Sequence, residues 1–324
     1  MGTACRSMPS EPPVVVGRRV REAGRHPAPR ASYGAGFGVV DTLPMTTPIA
    51  GTVRLHAPGT LVRSWNVFHG RLHPPGDVDF LEPAVRLACA DGPDVLCLQE
   101  VPPWALGRLS DWTQMQCFGD LVRRPSLGPV PVSRSLGRRL TAINPKLLRS
   151  AFSGQANAIL VRPELLAHDH RSRCLNPGEL RRLLGSQREP RRARRAWGRE
   201  RRSCQAVRLT LPDGRPALVA NLHATCRPSL AELELVHALA WLKGLAQSGD
   251  VVVLAGDFNL EAASSPLFAM LARRGFSGPG DCIDHVLVRG AAVSPVVSWA
   301  LGRRRLGGAL LSDHTPVELT IAAA

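Results

Sequence analysis

The chain has 324 residues, of which 44% are hydrophobic and 21% are charged, a balance typical of a globular protein and not of a disordered one. No apolar run approaches the roughly 20 residues needed to cross a bilayer, and the N-terminus lacks the apolar core of a signal peptide, so we expect a soluble, cytoplasmic protein with no membrane span. The net charge of +15 comes almost entirely from arginine and favours polyanionic partners such as nucleic acid, although a simple solvated surface also accounts for it.

Residues 1–58 are rich in Pro, Gly, Arg and Ala and show no lasting periodicity. This composition predicts a disordered basic N-terminal extension, with a tail that helps to hold a nucleic acid as the alternative. We interpret residues 59–324 as one large domain. The eight cysteines of the chain include no CxxC pair, which favours reduced, buried thiols over disulfides or zinc.

From residue 61 onward, strand-like and helix-like patterns alternate along the chain. Apolar runs of four to eight residues between turn signals predict strands, and apolar positions at helical spacing predict helices. Strands apolar on both faces indicate sheets that are covered on both sides. Residues 119–150 are irregular and residues 293–301 are poorly defined. The predicted strands are 61–67, 95–99, 113–118, 155–161, 205–211, 217–222, 251–255, 283–288 and 316–321, and the predicted helices are 80–90, 104–109, 230–245 and 266–273.

An arginine-dense segment interrupts this pattern at about residues 176–203, and we interpret it as an insertion into the domain. Ten of the 22 residues from 181 to 202 are arginine, and Trp197 is the only aromatic residue there. Such a segment would neutralise phosphates without reading sequence, and a solvated, partly disordered loop is the alternative. One aromatic side chain does not provide a base-stacking platform.

Six short polar motifs stand where predicted strands end or begin. Carboxylate, amide and imidazole side chains handle metal ions and protons, and packing alone does not explain six such positions. The motifs therefore predict one hydrolytic site assembled from many strand tips. They are SWN ending at Asn66, LQE ending at Glu100, NLH at 221–223, GDFN at 256–259, IDH at 283–285 and SDH at 312–314.

In their order along the chain, the six motifs resemble the endonuclease/exonuclease/phosphatase superfamily, from about residue 61 to residue 320. The superfamily includes DNases, AP endonucleases, deadenylases, sphingomyelinases and inositol-polyphosphate phosphatases. The resemblance implies a four-layer α/β sandwich, with two facing mixed β-sheets flanked by helices and the site at one end. AP endonucleases similar to exonuclease III carry a tyrosine in the phosphate site, whereas the only tyrosine here is Tyr33 in the N-terminal extension. This departure favours the DNase, sphingomyelinase and deadenylase branches.

The resemblance also implies a Mg²⁺ or Mn²⁺ cofactor. Glu100 resembles the principal metal ligand of the family, and a hard carboxylate suits either ion. Asn66 is expected to orient Glu100 or a metal-bound water, and Asp313 is a candidate for a second metal-side carboxylate. Asn157 and Asn221 are expected to contact the substrate phosphate.

Asp257 and Asn259 are two residues apart, so on a continuous strand their side chains share a face. The resemblance gives Asp257 the role of aligning or deprotonating water and gives Asn259 the role of donating to phosphate. His223 resembles a histidine that contacts the scissile phosphate and serves as a general acid.

The last two motifs are expected to form a pair. Asp284 is expected to bind one ring nitrogen of His314 and to favour its imidazolium form. Whether His314 or Asp257 is the general base stays open. His285 follows Asp284 directly, and we expect it to face away from the site and to be structural.

The favoured function is a divalent-metal-dependent phosphodiester hydrolase, and specifically a nuclease, that acts by in-line attack of an activated water. The alternative is a phosphatase or a phospholipase C-type hydrolase acting on small phosphorylated or lipid substrates. A non-catalytic relative that binds nucleic acid is a more remote alternative. The sequence indicates no obligate protein partner, and a monomer is the expectation at family level. DNA versus RNA and endo versus exo action stay open.

Overall fold

The computed structural model describes residues 59–70, 72–73, 80–123, 126–127, 130–133, 136, 154–179, 190, 192, 195, 197–198, 201–306 and 308–324. The predicted N-terminal extension lies outside the described residues, and so does most of the predicted arginine-dense insertion. None of the helices within the described ranges has the length and apolar character that a membrane crossing requires.

The described strands form two large sheets and two small ones. In chain order they are β1 (Gly59–Asn66), β2 (Leu72–His73), β3 (Val95–Val101), β4 (Gln116–Arg123), β5 (Ser126–Leu127), β6 (Val130–Pro131), β7 (Gln155–Val161), β8 (Ala167–Cys174), β9 (Ser203–Thr210), β10 (Pro216–His223), β11 (Val251–Asp257), β12 (Phe276–Ser277), β13 (Asp284–Arg289), β14 (Val297–Ser298), β15 (Arg305–Leu306), β16 (Ala309–Leu311) and β17 (Val317–Ala322). The described α-helices are α1 (Leu81–Cys89), α2 (Leu109–Thr113), α3 (Pro228–Leu245) and α4 (Pro266–Arg273).

Both large sheets have six strands and mixed pairing. The first sheet has the order β14-β17-β1-β3-β7-β4, and the second has the order β12-β13-β11-β10-β9-β8. The β1–β3 and β10–β11 pairs are parallel, whereas the other neighbours in these two sheets are antiparallel. Since parallel strands end at the same edge of a sheet, residues at the ends of β1 and β3 become neighbours, and so do those at the ends of β10 and β11.

Apolar side chains fill three layers, and this arrangement confirms the predicted four-layer α/β sandwich. The central layer lies between the two sheets, and the two outer layers lie under α1 and α2 on one side and under α3 and α4 on the other. A strand between two layers buries alternate side chains on both faces, which explains the continuous apolar runs of β3, β7 and β11. Representative residues are Val62, Val95 and Val253 in the centre, Leu81, Leu96 and Leu160 under α1, and Leu218, Leu235 and Leu254 under α3.

The local sequence explains which face of α1 is buried and where α3 and α4 begin. In α1, Ala84 and Ala88 belong to a buried stripe at helical spacing. Both α3 and α4 begin with proline, a residue preorganised for the first helical position. Ser265 caps α4, because its Oγ accepts a hydrogen bond from the Leu267 N–H at 3.4 Å.

The structure differs from the sequence-based prediction at three of its longer elements, and it also contains short strands that were not predicted, namely β2, β5, β6, β12, β14, β15 and β16. The outer strand β8 was not predicted, because its six central residues are exposed and show no apolar alternation, and its order comes from pairing with β9. Strand β4 extends to Arg123 and does not end at residue 118. The helix predicted at residues 104–109 is a 3₁₀ turn, Leu106–Arg108, that leads directly into α2.

Candidate active site

The polar strand ends of both sheets meet at one end of the sandwich. Asn66 ends β1, and Glu100 lies near the end of its parallel neighbour β3. In the second sheet, His223 ends β10 and pairs in register with Asp257, the last residue of β11. Asp257 in turn faces Asp284, the first residue of the antiparallel strand β13. The sheet register thus assembles residues that are far apart in sequence.

Asn66 links the two sheets through one amide group. Its Nδ2 lies 3.3 Å from Glu100 Oε1, 3.0 Å from Asp257 Oδ2 and 3.5 Å from His314 Nε2. Its Oδ1 accepts a hydrogen bond from the Phe68 N–H at 3.0 Å, which fixes which amide atom faces the carboxylates. Asn66 is fully buried, so these contacts set the relative positions of the groups around it.

A β-bulge directs Glu100 into this cluster. The β3–β7 register shifts between Leu98 and Val101, so Gln99 and Glu100 together face one residue of β7. Bulges of this kind redirect a side chain and are common beside active sites. Glu100 also takes a φ of 56°, the left-handed region that is uncommon for residues other than glycine.

The Glu100 carboxylate has the properties of a ligand for a hard divalent cation. Its side chain is 20% exposed, and His69 Nε2 lies 3.2 Å from its Oε2. His223 Nε2 lies 3.8 Å from its Oε1. Among the described acidic groups of the cluster, this carboxylate is the one that reaches solvent while its buried neighbours hold its orientation.

Asp257, Asp284 and His314 form a second group in which one potential ligand atom of each residue lies within 4.8 Å of the others. However, His314 Nδ1 lies 2.8 Å from Asp284 Oδ2, the length of a charge-assisted hydrogen bond. A cation between these two atoms would break that bond. We therefore interpret the group as a hydrogen-bonded pair beside a buried acid.

The Asp284–His314 pair has the geometry that the sequence predicted. Burial opposes a charge on His314, but the nearby Asp284 carboxylate outweighs it, so the pKa of the imidazole lies well above its usual range. The other ring nitrogen of His314 lies 3.8 Å from Asp257 Oδ2. The backbone carbonyl of His314 accepts hydrogen bonds from Trp65 Nε1 at 3.1 Å and from Arg304 at 2.9 Å. These contacts hold the ring in place.

Asp257 is a buried acid with a strongly altered acidity. Burial, reinforced by the charge of Asp284, raises its pKa from 3.8 to about 7. Its Oδ2 accepts from Asn66, and its Oδ1 accepts from the Asn259 N–H at 3.0 Å. A carboxyl group with this pKa exchanges a proton near neutral pH.

His223 is buried and neutral. Burial, together with the positive charges of Arg202 and His314, lowers the pKa of His223 well below its usual value. Two donors contact its ring, since Gln155 Nε2 lies 2.7 Å from Nδ1 and Arg202 NH1 lies 3.0 Å from Nε2. That nitrogen lies 3.5 Å from Asp257 Oδ2 and so faces the carboxylates of the cluster.

Two predicted phosphate contacts lie deeper between the sheets. The Asn221 amide is used in structural hydrogen bonds, since Nδ2 donates to the Leu98 and Ala158 carbonyls at 2.9 and 3.0 Å and Oδ1 accepts from Gln99 at 2.8 Å. The Asn157 amide is fully buried, and neither of its polar atoms has a hydrogen-bond partner among the described residues. The phosphate role of Asn157 stays a prediction.

Two further predicted residues lie at the edge of the cluster. Strand β11 ends at Asp257, and Asn259 takes a φ of 52°, so strand alternation no longer determines where its side chain points. Asn259 Nδ2 donates to the Ala224 carbonyl at 2.9 Å and ties two loops of the site together. Asp313 is exposed, and no hydrogen bond or ion pair of the described residues brings its carboxylate to the cluster. It makes only a smaller electrostatic contribution to the raised pKa of His314.

His285 packs away from the cluster, in the outer core between Phe258 and Phe268. Its Nδ1 accepts from the Gly280 N–H at 2.9 Å, and its Nε2 lies 2.7 Å from the Leu260 carbonyl.

Sequence reasoning missed three residues that contact the cluster: His69, Gln155 and Arg202. Each lies outside the six motifs. Arg202 is buried, with NH1 3.0 Å from His223 Nε2, although its sequence context is a run of exposed-looking arginines. One feature of the sequence could have indicated that His69 lies near the cluster: it follows Asn66 by three residues and directly precedes a glycine.

A two-sheet sandwich that carries carboxylate, amide and imidazole groups at one end defines a class of phosphoester hydrolases. A model of the endonuclease/exonuclease/phosphatase family matches residues 64–314, and the chain belongs to this family of hydrolases, which act on phosphoester bonds. No curated protein is similar enough in sequence to match.

Several solved structures share the fold. The endonuclease/exonuclease/phosphatase from Beutenbergia cavernae DSM 12333 is 17% identical with a TM-score of 0.57, and the match covers 83% of this chain and 72% of that one. A mannosyl-6-phosphatase from Bacteroides thetaiotaomicron VPI-5482 is 15% identical with a TM-score of 0.56, covering 81% and 99%. Truncated TDP2 from Caenorhabditis elegans is 15% identical with a TM-score of 0.51, covering 82% and 97%. At these identities the likeness establishes the fold alone.

Proposed function

We propose that this protein is a divalent-metal-dependent phosphodiester hydrolase and that its substrate is a nucleic acid. The observation that carries the proposal is the convergence of Glu100, Asp257 and the Asp284–His314 pair around the single amide of Asn66. Hydrolysis of a phosphodiester requires neutralisation of phosphate charge, an activated water and a proton for the leaving oxygen. The cluster contains a group suited to each requirement.

Glu100 would hold the metal ion, with Asn66 and His69 fixing the two oxygens of its carboxylate. A bound Mg²⁺ or Mn²⁺ supplies positive charge next to the phosphate oxygens. The side chain of Glu100 is 20% exposed, more than the Asp257 and Asp284 side chains of the cluster, so this position is open to a substrate.

Asp257 is the proposed general base. Its pKa of about 7 matches the operating range of a base near neutral pH. His314 is a weaker candidate for that role, because its raised pKa keeps it protonated at neutral pH. The Asn66 amide holds Asp257 Oδ2, and the Asn259 N–H holds Oδ1, so the carboxylate is oriented before the substrate arrives.

The two histidines of the cluster have different proposed roles. Asp284 accepts from His314 Nδ1, so the Nε2–H of the imidazolium points into the site, where it can stabilise phosphate charge and donate a proton to the leaving oxygen. His223 is neutral, and we assign it a contact with a phosphoryl oxygen in place of the predicted general-acid role. Arg202 beside it adds a positive charge for the same oxygen.

The net charge of +15 supports a nucleic acid as the substrate. A polymer of phosphodiesters gains attraction from basic side chains along its length, whereas a small phosphate ester gains it from the site alone. The related fold named as a mannosyl-6-phosphatase makes a sugar monophosphate the appropriate competing substrate.

Hydrolysis of plasmid DNA, single-stranded RNA, bis-p-nitrophenyl phosphate and mannose 6-phosphate, with Mg²⁺, Mn²⁺ or EDTA, tests the proposal. We expect metal-dependent cleavage of a nucleic acid, and a loss of about 10²-fold or more in Glu100→Gln. The matched control is Glu164→Gln, which changes a glutamate whose side chain is 70% exposed.

Salt separates a polymer substrate from a small one. Raising KCl from about 50 to about 200 mM is expected to weaken action on the nucleic acid at least about tenfold and to change hydrolysis of bis-p-nitrophenyl phosphate much less. Turnover of mannose 6-phosphate with no cleavage of either nucleic acid would replace the nuclease proposal with a phosphatase.

A further inference from the structure

The turn after β1 is held in an unusual conformation. Phe68, His69 and Gly70 have successive positive φ values of 46°, 54° and 76°. The first two are not glycine, and such a conformation is strained for them, so it persists only where surrounding contacts enforce it. Left-handed backbone of this kind is concentrated at active sites and ligand clamps.

The enforcing contacts come from both sides of the turn. Asn66 Oδ1 accepts from the Phe68 N–H at 3.0 Å, and the Gly70 N–H donates to the Val67 carbonyl at 2.7 Å. The Gly70 carbonyl accepts from the Phe80 N–H at 2.9 Å. Any side chain at position 70 would collide with the backbone of α1 at Leu81. The turn is therefore fixed between the active-site asparagine and α1.

This fixed turn places His69 against Glu100. Its Nε2 lies 3.2 Å from Glu100 Oε2, and its side chain is 8% exposed. Two ligand atoms that bind one small octahedral cation through bonds of about 2.1 Å lie about 3 Å apart, because the bonds meet at a right angle. The two atoms form an ion pair in the structure, and their spacing also fits two ligands that share one cation in place of that pair.

We propose that His69 is a second protein ligand of the metal ion held by Glu100, and that its nitrogen makes the site prefer Mn²⁺ over Mg²⁺. This inference rests on the proposed function of Glu100. Imidazole nitrogen binds transition-metal ions well, whereas Mg²⁺ strongly prefers oxygen ligands. Without an imidazole ligand, an oxygen site would discriminate less between the two ions.

Electron spin echo spectroscopy of bound Mn²⁺ tests this assignment, because it detects a nitrogen nucleus coordinated to the ion. The variant is His69→Asn, since asparagine tolerates the left-handed backbone that the turn requires. Its thermal melt reports whether it folds. Glu100→Gln serves as the loss-of-site variant, and His168→Ala removes an exposed histidine of the outer strand β8 as a control. Spectra are taken at saturating Mn²⁺, and competition titrations give Kd for Mn²⁺ and Mg²⁺.

We expect a nitrogen coupling in the wild type and in His168→Ala and none in His69→Asn. The Kd for Mn²⁺ is expected to rise at least about tenfold in His69→Asn, and the Kd for Mg²⁺ to change less than about threefold. A coupling that persists in His69→Asn, or that is absent from the wild type while Mn²⁺ binds through Glu100, overturns the ligand assignment and leaves the proposed function intact. Unchanged Mn²⁺ binding in Glu100→Gln overturns both.

Discussion

At the residue scale, the site depends on one buried amide. Asn66 contacts a carboxylate of each sheet and lies beside the His314 ring, so its position couples groups from four strands and loops. The motif order predicted that Asn66, Glu100, Asp257 and His314 belong together. It did not predict which atoms meet, because the bulge in β3 and the left-handed residues of the turns have no clear sequence signal.

The Asp284–His314 pair gives a prediction for the pH dependence of catalysis. Replacing Asp284 with asparagine removes the charge that raises the pKa of His314, so the imidazolium is lost at lower pH. We expect Asp284→Asn to lower kcat by about 10²–10⁴-fold and to move the alkaline limb of the rate profile toward lower pH.

Steady-state kinetics between pH 5 and pH 10 check this expectation. Asp111→Asn, at an exposed position in α2, is the matched control. A variant that is slow but keeps the wild-type alkaline limb would show that Asp284 does not control the His314 proton.

Asp257 gives a prediction about stability. Its folded pKa of about 7 exceeds its ordinary value of 3.8, so the folded state holds a proton that the unfolded state releases. The free energy of unfolding therefore falls as pH rises from about 4 to about 7. Above that range Asp257 is ionised in the folded state too, so the destabilisation by its buried charge no longer changes with pH. We expect the stability gain of Asp257→Asn over wild type to widen by roughly 2–4 kcal/mol between pH 4 and pH 8.

Urea denaturation at both pH values measures that difference, again with Asp111→Asn as the control. Asp257→Asn is expected to be inactive while more stable at pH 8, a trade-off common at catalytic sites. An equal effect of the substitution at both pH values would contradict the raised pKa.

At the element scale, the ends of the arginine-dense segment are fixed to the domain. Asn176 accepts from the Arg202 N–H at 3.0 Å and donates to the Trp197 carbonyl at 2.9 Å. Glu234, fully buried in α3, accepts from Trp197 Nε1 at 2.5 Å and from the Thr225 N–H at 2.7 Å. These contacts position Arg202 beside His223. The sequence did not predict them, because a glutamate within a helix is usually solvated.

Removing the Glu234 carboxylate leaves buried donors without their acceptor. Each such group costs about 1–3 kcal/mol, so we expect Glu234→Ala to lower the free energy of unfolding by about 2–5 kcal/mol. Val236→Ala, at a 47% exposed position of the same helix, is expected to change it by less than about 0.5 kcal/mol. Urea denaturation compares the two, and equal effects would show that Glu234 is not an anchor.

At the scale of the whole molecule, the fold was largely predictable and the site only partly. Nine apolar runs fixed the core strands, since strands such as β3 and β11 are buried on both faces. The exposed strand β8 was not predicted, because its strand conformation depends on pairing with β9 and not on its own side chains. Three residues that contact the cluster were not predicted for a similar reason, since only the three-dimensional arrangement brings them to Glu100 and His223. They are His69, Gln155 and Arg202.

Hydrolysis in ¹⁸O-labelled water tests the central claim most directly, namely that this cluster activates water for attack on a phosphodiester phosphorus. A single turnover of the cleaved nucleic acid, analysed by mass spectrometry, locates the label. We expect one ¹⁸O atom in the product phosphate, none in the released hydroxyl, and no product in Asp257→Asn above about 1% of the wild-type rate. Label in the hydroxyl, or full activity in Asp257→Asn, would contradict the mechanism derived from this site.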